Sequence, residues 1–209
     1  SHMYVPGQPG YQDNVSSTGQ GSGDVAKAKR MLTDAKYTGV GSNLKTPDGQ
    51  TVTFRCTYSA GNRNRQQTCD IVQNTLKQLG INVTLKTTTD LSELNTGNFD
   101  MIVFAWVATP FVVAGAQQIF ELKGGGDYGH NDDPQVEALI NKAAVSTDPA
   151  TVQSQLNEAD KLLTADAYEL PLFQKPTFIA TVKDLVNIRD NATSFGPPEN
   201  VQDWGVKAS

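Results

Sequence analysis

Phe99-Asp100-Met101-Ile102-Val103-Phe104-Ala105-Trp106, running on into Val107-Ala108-Thr109-Pro110-Phe111, is the stretch on which the fold turns. The six apolar residues Met101 to Trp106, with Asn98 to Asp100 before them and Pro110 beyond, are too short for a free-standing helix. They read as a strand buried on both faces, the centre of a mainly parallel sheet. Such a strand delivers the next residues to the carboxyl edge of the sheet, where open α/β folds bind ligands. Those residues are an indole and a short loop, a surface suited to binding more than to bond-making.

Upstream of this stretch, Val52, Phe54, Cys56 and Tyr58 alternate with threonines and Arg55, the period of two of a strand over residues 51–58. Ser59-Ala60-Gly61-Asn62 leads into a helix whose inner face carries Cys69, Val72, Leu76 and Leu79; Gly80 ends it, and Ile81, Val83 and Leu85 alternate in the next strand. This is a βαβ unit, which makes its two strands parallel. If the strand ending at Trp106 lies beside the first, the loops after Tyr58 and after Trp106 flank a switch point in strand order. Asp24 caps an earlier helix with the stripe Val25, Ala28, Leu32 and Ala35, and Pro47-Asp48-Gly49 turns the chain after a short strand near Leu44. Residues before Gly23 are rich in Gly, Ser, Gln and Pro without period, which predicts a loose lead-in; Ser1-His2-Met3 resembles the remnant of a cleaved tag.

The second half turns helical. A short helix is expected over residues 116–122, broken by Gly124-Gly125-Gly126. Asp133-Pro134 and Asp148-Pro149 each place a capping carboxylate before a proline at the first helical position. The helices they open carry Val136, Leu139, Ile140 and Ala143, then Val152, Leu156, Ala159 and Leu163. Two strands are expected at 170–174 and 177–182, followed by an irregular tail.

With 209 residues and 38% apolar content the chain can bury one good core. A net charge of -5 without any basic cluster argues against a nucleic-acid partner. No stretch approaches the roughly 18 apolar residues of a membrane span. Cys56 and Cys69 fit neither a Cys-x-x-Cys redox motif nor half of a zinc site. They read either as a disulfide, which implies an oxidising, extracytoplasmic compartment, or as two buried thiols that never meet.

Little of this sequence suggests catalysis. His130, in Asp127-Tyr128-Gly129-His130-Asn131-Asp132-Asp133, invites a metal reading, yet the closing glutamate of a calcium loop is missing, so the segment reads as a polar loop capping the next helix. The triple glycine lacks the Lys-Ser/Thr of a phosphate loop. No metal, no cofactor and no enzymatic activity are expected. Trp106 either fills the core or forms a ligand wall, since indole offers rigid apolar area with a donor at its edge. Phe111 and Tyr58 are candidates to extend that wall.

Taken in order, several segments resemble one family. They include Val5-Pro6-Gly7-Gln8-Pro9-Gly10-Tyr11, Asp24-Val25-Ala26-Lys27-Ala28-Lys29, Gly61-Asn62-Arg63-Asn64-Arg65 and Leu76-Lys77-Gln78-Leu79-Gly80-Ile81-Asn82-Val83. Gly97-Asn98-Phe99-Asp100 leading to Trp106, Asn131-Asp132-Asp133-Pro134-Gln135-Val136 and the closing Gln202-Asp203-Trp204 continue the series. The chain is similar to the carboxyl-terminal half of the family 5 extracellular solute-binding proteins, receptors of oligopeptide, dipeptide and nickel importers of the ATP-binding-cassette type.

The resemblance implies an α/β fold, a mixed and largely parallel sheet with flanking helices. This would be the carboxyl-terminal lobe of a two-lobed, class II periplasmic-binding-protein-like receptor. It divides the chain into a lead-in (1–23), the lobe (24–183) and a tail that returns to the other lobe (184–209). Its partners would be a peptide-like or other small solute and membrane permease subunits, the receptor being monomeric, extracytoplasmic and lipid-anchored when whole. Ligand-facing residues would be Trp106, Val107, Ala108, Thr109, Phe111, Tyr58 and Asn131. In peptide-binding members an aspartate three residues after the tryptophan holds the peptide amine; here that position is Thr109, whose neutral hydroxyl cannot make a charge-assisted bond. A receptor-like module that regulates a membrane partner without delivering solute is the alternative reading.

Overall fold

A computed structural model describes every residue except 108, 123, 192–194 and 208–209. The chain forms two compact units, one from residues 21–105 and one from residues 1–20 together with 106–209.

In the unit of residues 21–105, Asp24 caps α1 (Val25–Asp34), its carboxylate accepting the Lys27 N–H at 2.8 Å. β1 (Thr53–Ser59), α2 (Arg63–Lys77) and β2 (Asn82–Thr88) are the expected βαβ unit, with β1 and β2 parallel from Thr53↔Asn82 to Ser59↔Thr88. Asn62 opens α2 by accepting the Arg65 N–H. Phe54, Cys56 and Tyr58 share one face of β1, and Cys56 is disulfide-bonded to Cys69 of α2 with Cα atoms 5.8 Å apart. Leu44, Ile81 and Val83 complete this core, with Leu76, Leu79 and Phe54 packed against it. Gly80, at φ +88°, lets α2 end against the 39–44 loop, where a Cβ would lie 2.8 Å from the Ser42 nitrogen. The short strand expected near Leu44 is reduced to isolated bridges, Thr38↔Lys45 and Lys45↔Thr51.

α3 (Ser92–Thr96) precedes β3 (Met101–Val103), and here the structure corrects the sequence reading. The described sheet runs β2-β1-β3, all parallel, so β1 is the central strand and β3 an edge of only three half-buried residues. Asp100 explains where the pairing begins. Its carboxylate takes the Arg55 backbone N–H at 2.7 Å and the guanidinium at 3.0 and 3.1 Å, occupying the place of another ladder bond.

In the other unit, α4 (Val112–Phe120), α5 (Pro134–Val145) and α6 (Pro149–Ala165) pack in sequence order around Phe120, Val136, Ile140, Leu156 and Leu163. Asp133 and Asp148 cap α5 and α6 with Pro134 and Pro149 in the first turn. The first twenty residues are not a loose lead-in. Met3 and Tyr4 are buried in the helical core. Asp160 of α6, fully buried, accepts from the His2 backbone N–H at 2.5 Å and the Asn14 amide at 2.5 Å, with the His2 ring 2.9 Å away. Anchors spaced so irregularly leave no periodic trace in sequence.

Residues 170–182 form no strand. Leu170, Leu172, Phe173, Phe178 and Val182 are exposed along an irregular segment. Strands are expected over 170–174 and 177–182, but among the described residues no neighbouring strand pairs with either. The tail carries a small antiparallel pair, β4 (Leu185–Val186) and β5 (Gly205–Val206), joined through a 3-10 helix at Pro197–Asp203. No helix is long and apolar enough to cross a membrane among the described residues.

Candidate functional site

Register places the carboxyl ends of β1 and β3 side by side, with Tyr58 opposite Val103. Because β2 and β3 lie on opposite sides of β1, strand order reverses there, the position at which open parallel sheets receive ligands. The chain leaves β3 through Phe104 and Ala105 and reaches Trp106, the first residue of the helical unit's second segment.

Trp106 is 37% exposed, too open for a core tryptophan. Its ring lies parallel to that of Tyr128, with centroids 5.4 Å apart and planes 2° from parallel. Beneath its rim is Gly126, where a Cβ would lie 3.0 Å from Cη2 of the indole. The Glu169 carboxyl lies within hydrogen-bonding reach of the indole. Burial raises the Glu169 carboxyl above the usual glutamate range, and the nearby Asp127 charge adds to that, while His2 and the indole bond oppose it.

The loop carrying Tyr128 is tied down from several sides. Gly126 N–H donates to the Gln118 carbonyl at 2.9 Å, fixing the loop to α4. The Tyr168 hydroxyl donates to Asp127 Oδ1 at 2.7 Å, and the same oxygen accepts the Asn131 N–H at 2.8 Å. Burial, then the Asp127 carboxylate, push the Tyr168 phenol far above its ordinary range, so it stays a donor. Gly129 leaves room for the Tyr168 ring, which a Cβ would approach to 2.8 Å.

The other expected residues fall into distinct places. Val107 and Phe111 are 64% and 68% exposed on the same segment as Trp106, and Ala108 lies outside the described residues. Thr109 Oγ1 accepts the Phe111 N–H at 3.1 Å, so its hydroxyl organises the entry to α4. Asn131 is buried and spends its side chain inside the loop, its amide donating to the Phe120 carbonyl at 3.0 Å and its oxygen accepting the Asp133 N–H. Tyr58 is 8% exposed and belongs to the core around the disulfide, which corrects its expected place in an exposed wall. Tyr128 and Glu169 were not legible as partners of Trp106; the glycine run ahead of Tyr128 is the only sequence signal that a ring packs closely there. A shallow groove of about 370 Å³ opens nearby in sequence, between the start of α4 (Pro110, Val112, Val113) and the α5–α6 turn (Pro149, Val152).

The arrangement is one of surfaces and hydrogen-bond donors, suited to holding a solute. Among the described residues no cluster of three or more His, Cys, Asp or Glu side chains is arranged to hold a metal ion.

Comparison with known proteins agrees with that chemistry. Residues 1–128 match the family described as bacterial extracellular solute-binding proteins, family 5 Middle. The oligopeptide-binding protein OppA of Mycobacterium tuberculosis is 31% identical over 195 residues, 90% of this chain and 32% of its own length. Among solved structures, the periplasmic EDTA-binding protein EppA superposes with a TM-score of 0.92 at 31% identity, covering 99% of this chain and 39% of that one. An oligopeptide-binding protein from Thermus thermophilus complexed with pentapeptide gives a TM-score of 0.78 at 22% identity, over 99% of this chain and 39% of that one, a likeness of fold. The chain thus spans about a third of the length of the curated relative it matches.

Proposed function

Because the chain belongs to the bacterial extracellular solute-binding proteins of family 5, we propose that it is part of the solute receptor of an ATP-binding-cassette importer. In this reading it supplies the later of two lobes that close on a small solute and present it to the permease, with residues 24–183 as the body of that lobe. The receptor works outside the cytoplasm, where the Cys56–Cys69 disulfide is chemically at home; a monomeric, lipid-anchored whole protein fits the same reading.

The observation that carries the proposal is Trp106: a part-exposed indole, fixed on Tyr128, placed just after the strand that ends at the switch point of the sheet. Val107 and Phe111 continue an exposed apolar surface along the same segment, the usual material of a ligand wall. Thr109 bears on the kind of solute. A hydroxyl engaged with the Phe111 N–H offers an ammonium group no charge, which favours solutes bound otherwise than by a free amine. The likeness to an EDTA-binding protein makes a polycarboxylate of that type a specific candidate beside a peptide.

The test is ligand identification on the full-length receptor. Solute carried through purification is identified by mass spectrometry, and its affinity for wild type and Trp106→Ala is measured by calorimetry. Truncation should weaken binding by tenfold or more, on the order of 1.4 kcal/mol, with little change in thermal stability. Unchanged affinity would remove Trp106 from the site.

A further inference from the structure

We propose that Glu169 and Tyr128 are positioning residues that hold the Trp106 indole in one orientation, so that the receptor meets its solute with a preformed aromatic plate. This rests on the reading of Trp106 as a ligand-facing wall.

An indole more than a third exposed at the end of a strand would ordinarily sample several rotamers, and a ligand stacking on it would have to stop that motion. Here the ring is constrained on three sides. Tyr128 lies parallel to one face at 5.4 Å. The Glu169 carboxyl lies within hydrogen-bonding reach of the indole edge. Gly126 lets the rim settle against backbone, with Cη2 where a side chain would need to be.

Each constraint is itself anchored. Tyr128 sits in a loop whose Gly126 N–H bonds the Gln118 carbonyl of α4, and whose Asp127 is gripped by the Tyr168 hydroxyl and the Asn131 N–H. Glu169 directly follows Tyr168, and its backbone carbonyl lies 3.0 Å from the His2 ring. A tryptophan that merely filled the core would be covered, and one that merely decorated the surface would not be held by two separate segments, the 126–128 loop and the chain around Glu169. The conjunction of exposure with fixation is what a stacking plate requires, because a surface ordered in advance costs a ligand less to bind. With one face committed to Tyr128, the surface left to solvent suits a flat apolar or π-bearing part of a solute.

The charged and titratable groups facing Glu169 are Asp127 from the loop, His2 from the amino-terminal segment and the neighbouring Tyr168 phenol. Protonation of Glu169 therefore changes the acceptor at the indole edge, and Trp106 should report it optically.

The experiment uses this chain with Trp204→Phe, which leaves Trp106 as the sole tryptophan. In that background the emission of Trp106 is followed with pH and with acrylamide quenching. The expected result is an emission change whose midpoint lies above the usual glutamate range, abolished by Glu169→Gln, which keeps an acceptor but cannot titrate. Glu169→Leu and Tyr128→Ala should shift emission to the red and increase quenching, while Glu169→Gln restores the wild-type values at neutral pH. A titration that persists in Glu169→Gln, or Glu169→Leu emission and quenching equal to wild type, would overturn the proposal. These readouts need no ligand. The underlying solute reading is judged separately, by calorimetry of the full-length receptor with EDTA and with a pentapeptide as probes. There Glu169→Leu should weaken a bound probe by about tenfold, and Trp106→Ala binding both probes as wild type would sink the ligand-wall reading while leaving the optical result to stand or fall alone.

Discussion

Reducing the Cys56–Cys69 bond isolates its contribution to stability, because both thiols stay in place and the core volume hardly changes. Cys56 and Cys69 are 1% and 0% exposed, between the central strand and the helix that covers it. The bond closes a loop with a sequence separation of 13 residues. In the chain-entropy account, a loop of that size restricts the unfolded ensemble by about 3 kcal/mol at 25 °C. The effect should be local to the unit of residues 21–105, since the crosslink ties β1 to α2 and β1 in turn holds both β2 and β3. Native-state hydrogen exchange with mass-spectrometric readout measures it segment by segment. On reduction, the slowest amides of 53–59 and 82–88 should exchange about a hundredfold faster, the equivalent of about 3 kcal/mol. Protection unchanged in those strands after verified reduction would refute the reasoning, and would mean that packing of Leu44, Ile81 and Val83 suffices without the crosslink.

Asp160 gives a pH prediction. Despite the cost of its burial, bonds from His2 and Asn14 bring its carboxyl down from the ordinary 3.8 to about 2. A folded-state value below the unfolded one adds stability that is fully present above pH ~4 and is lost as pH falls through ~2, about 2 kcal/mol in all. Thermal unfolding of wild type and Asp160→Asn against pH should show a steeper loss in the wild type between pH 4 and 2; parallel curves would remove the buried carboxylate from the account. Gly80→Ala should cost about 2 to 4 kcal/mol in urea unfolding, because the new Cβ would need a left-handed backbone and would meet the Ser42 and Leu44 nitrogens. Thr109→Asp in the full-length receptor should raise affinity for ligands bearing an ammonium group, measured by calorimetry on matched peptides with free and acetylated amino termini; equal gains for both would count against an amine-binding role for that position.

What the sequence made legible was local. The alternation of Val52 to Tyr58, the helix ended by Gly80 and the Asp-Pro caps each depend on neighbours a few residues apart, and each lies where expected. Expectation fails where an apolar run implies a partner. Met101 to Trp106 has the composition of a central strand, but only Met101–Val103 pair, with β1 alone beside them and no described strand on their other side. The segments 170–174 and 177–182 are apolar enough for strands, yet no strand lies beside them among the described residues. The amino-terminal segment errs the other way: Met3, Tyr4 and Asn14 are single anchors in a polar, glycine-rich stretch, and their targets lie more than a hundred residues along the chain. At the candidate site Trp106 was legible by type and place. Tyr128 and Glu169, its partners, come from a loop and from the segment after α6, which only the tertiary fold brings to it.

Residues 21–105 are an insertion within the chain of another unit, and this ordering constrains how the molecule assembles. The insert has its own sheet, core and crosslink, so it can become native as soon as it leaves the ribosome. The helical unit cannot, because Met3, Tyr4 and Asn14 must wait for α6 to be made. A folded insert fixes the spacing between Gly21 and Ala105 and so removes most of the loop-closure entropy that joining the two outer segments would otherwise require. Translation thus favours an inside-out order, with the sheet unit first and the amino-terminal segment docking last. Residues 21–105 expressed alone under oxidising conditions should give a cooperative thermal transition, whereas 106–209 alone should lack one until a peptide of residues 1–20 is supplied.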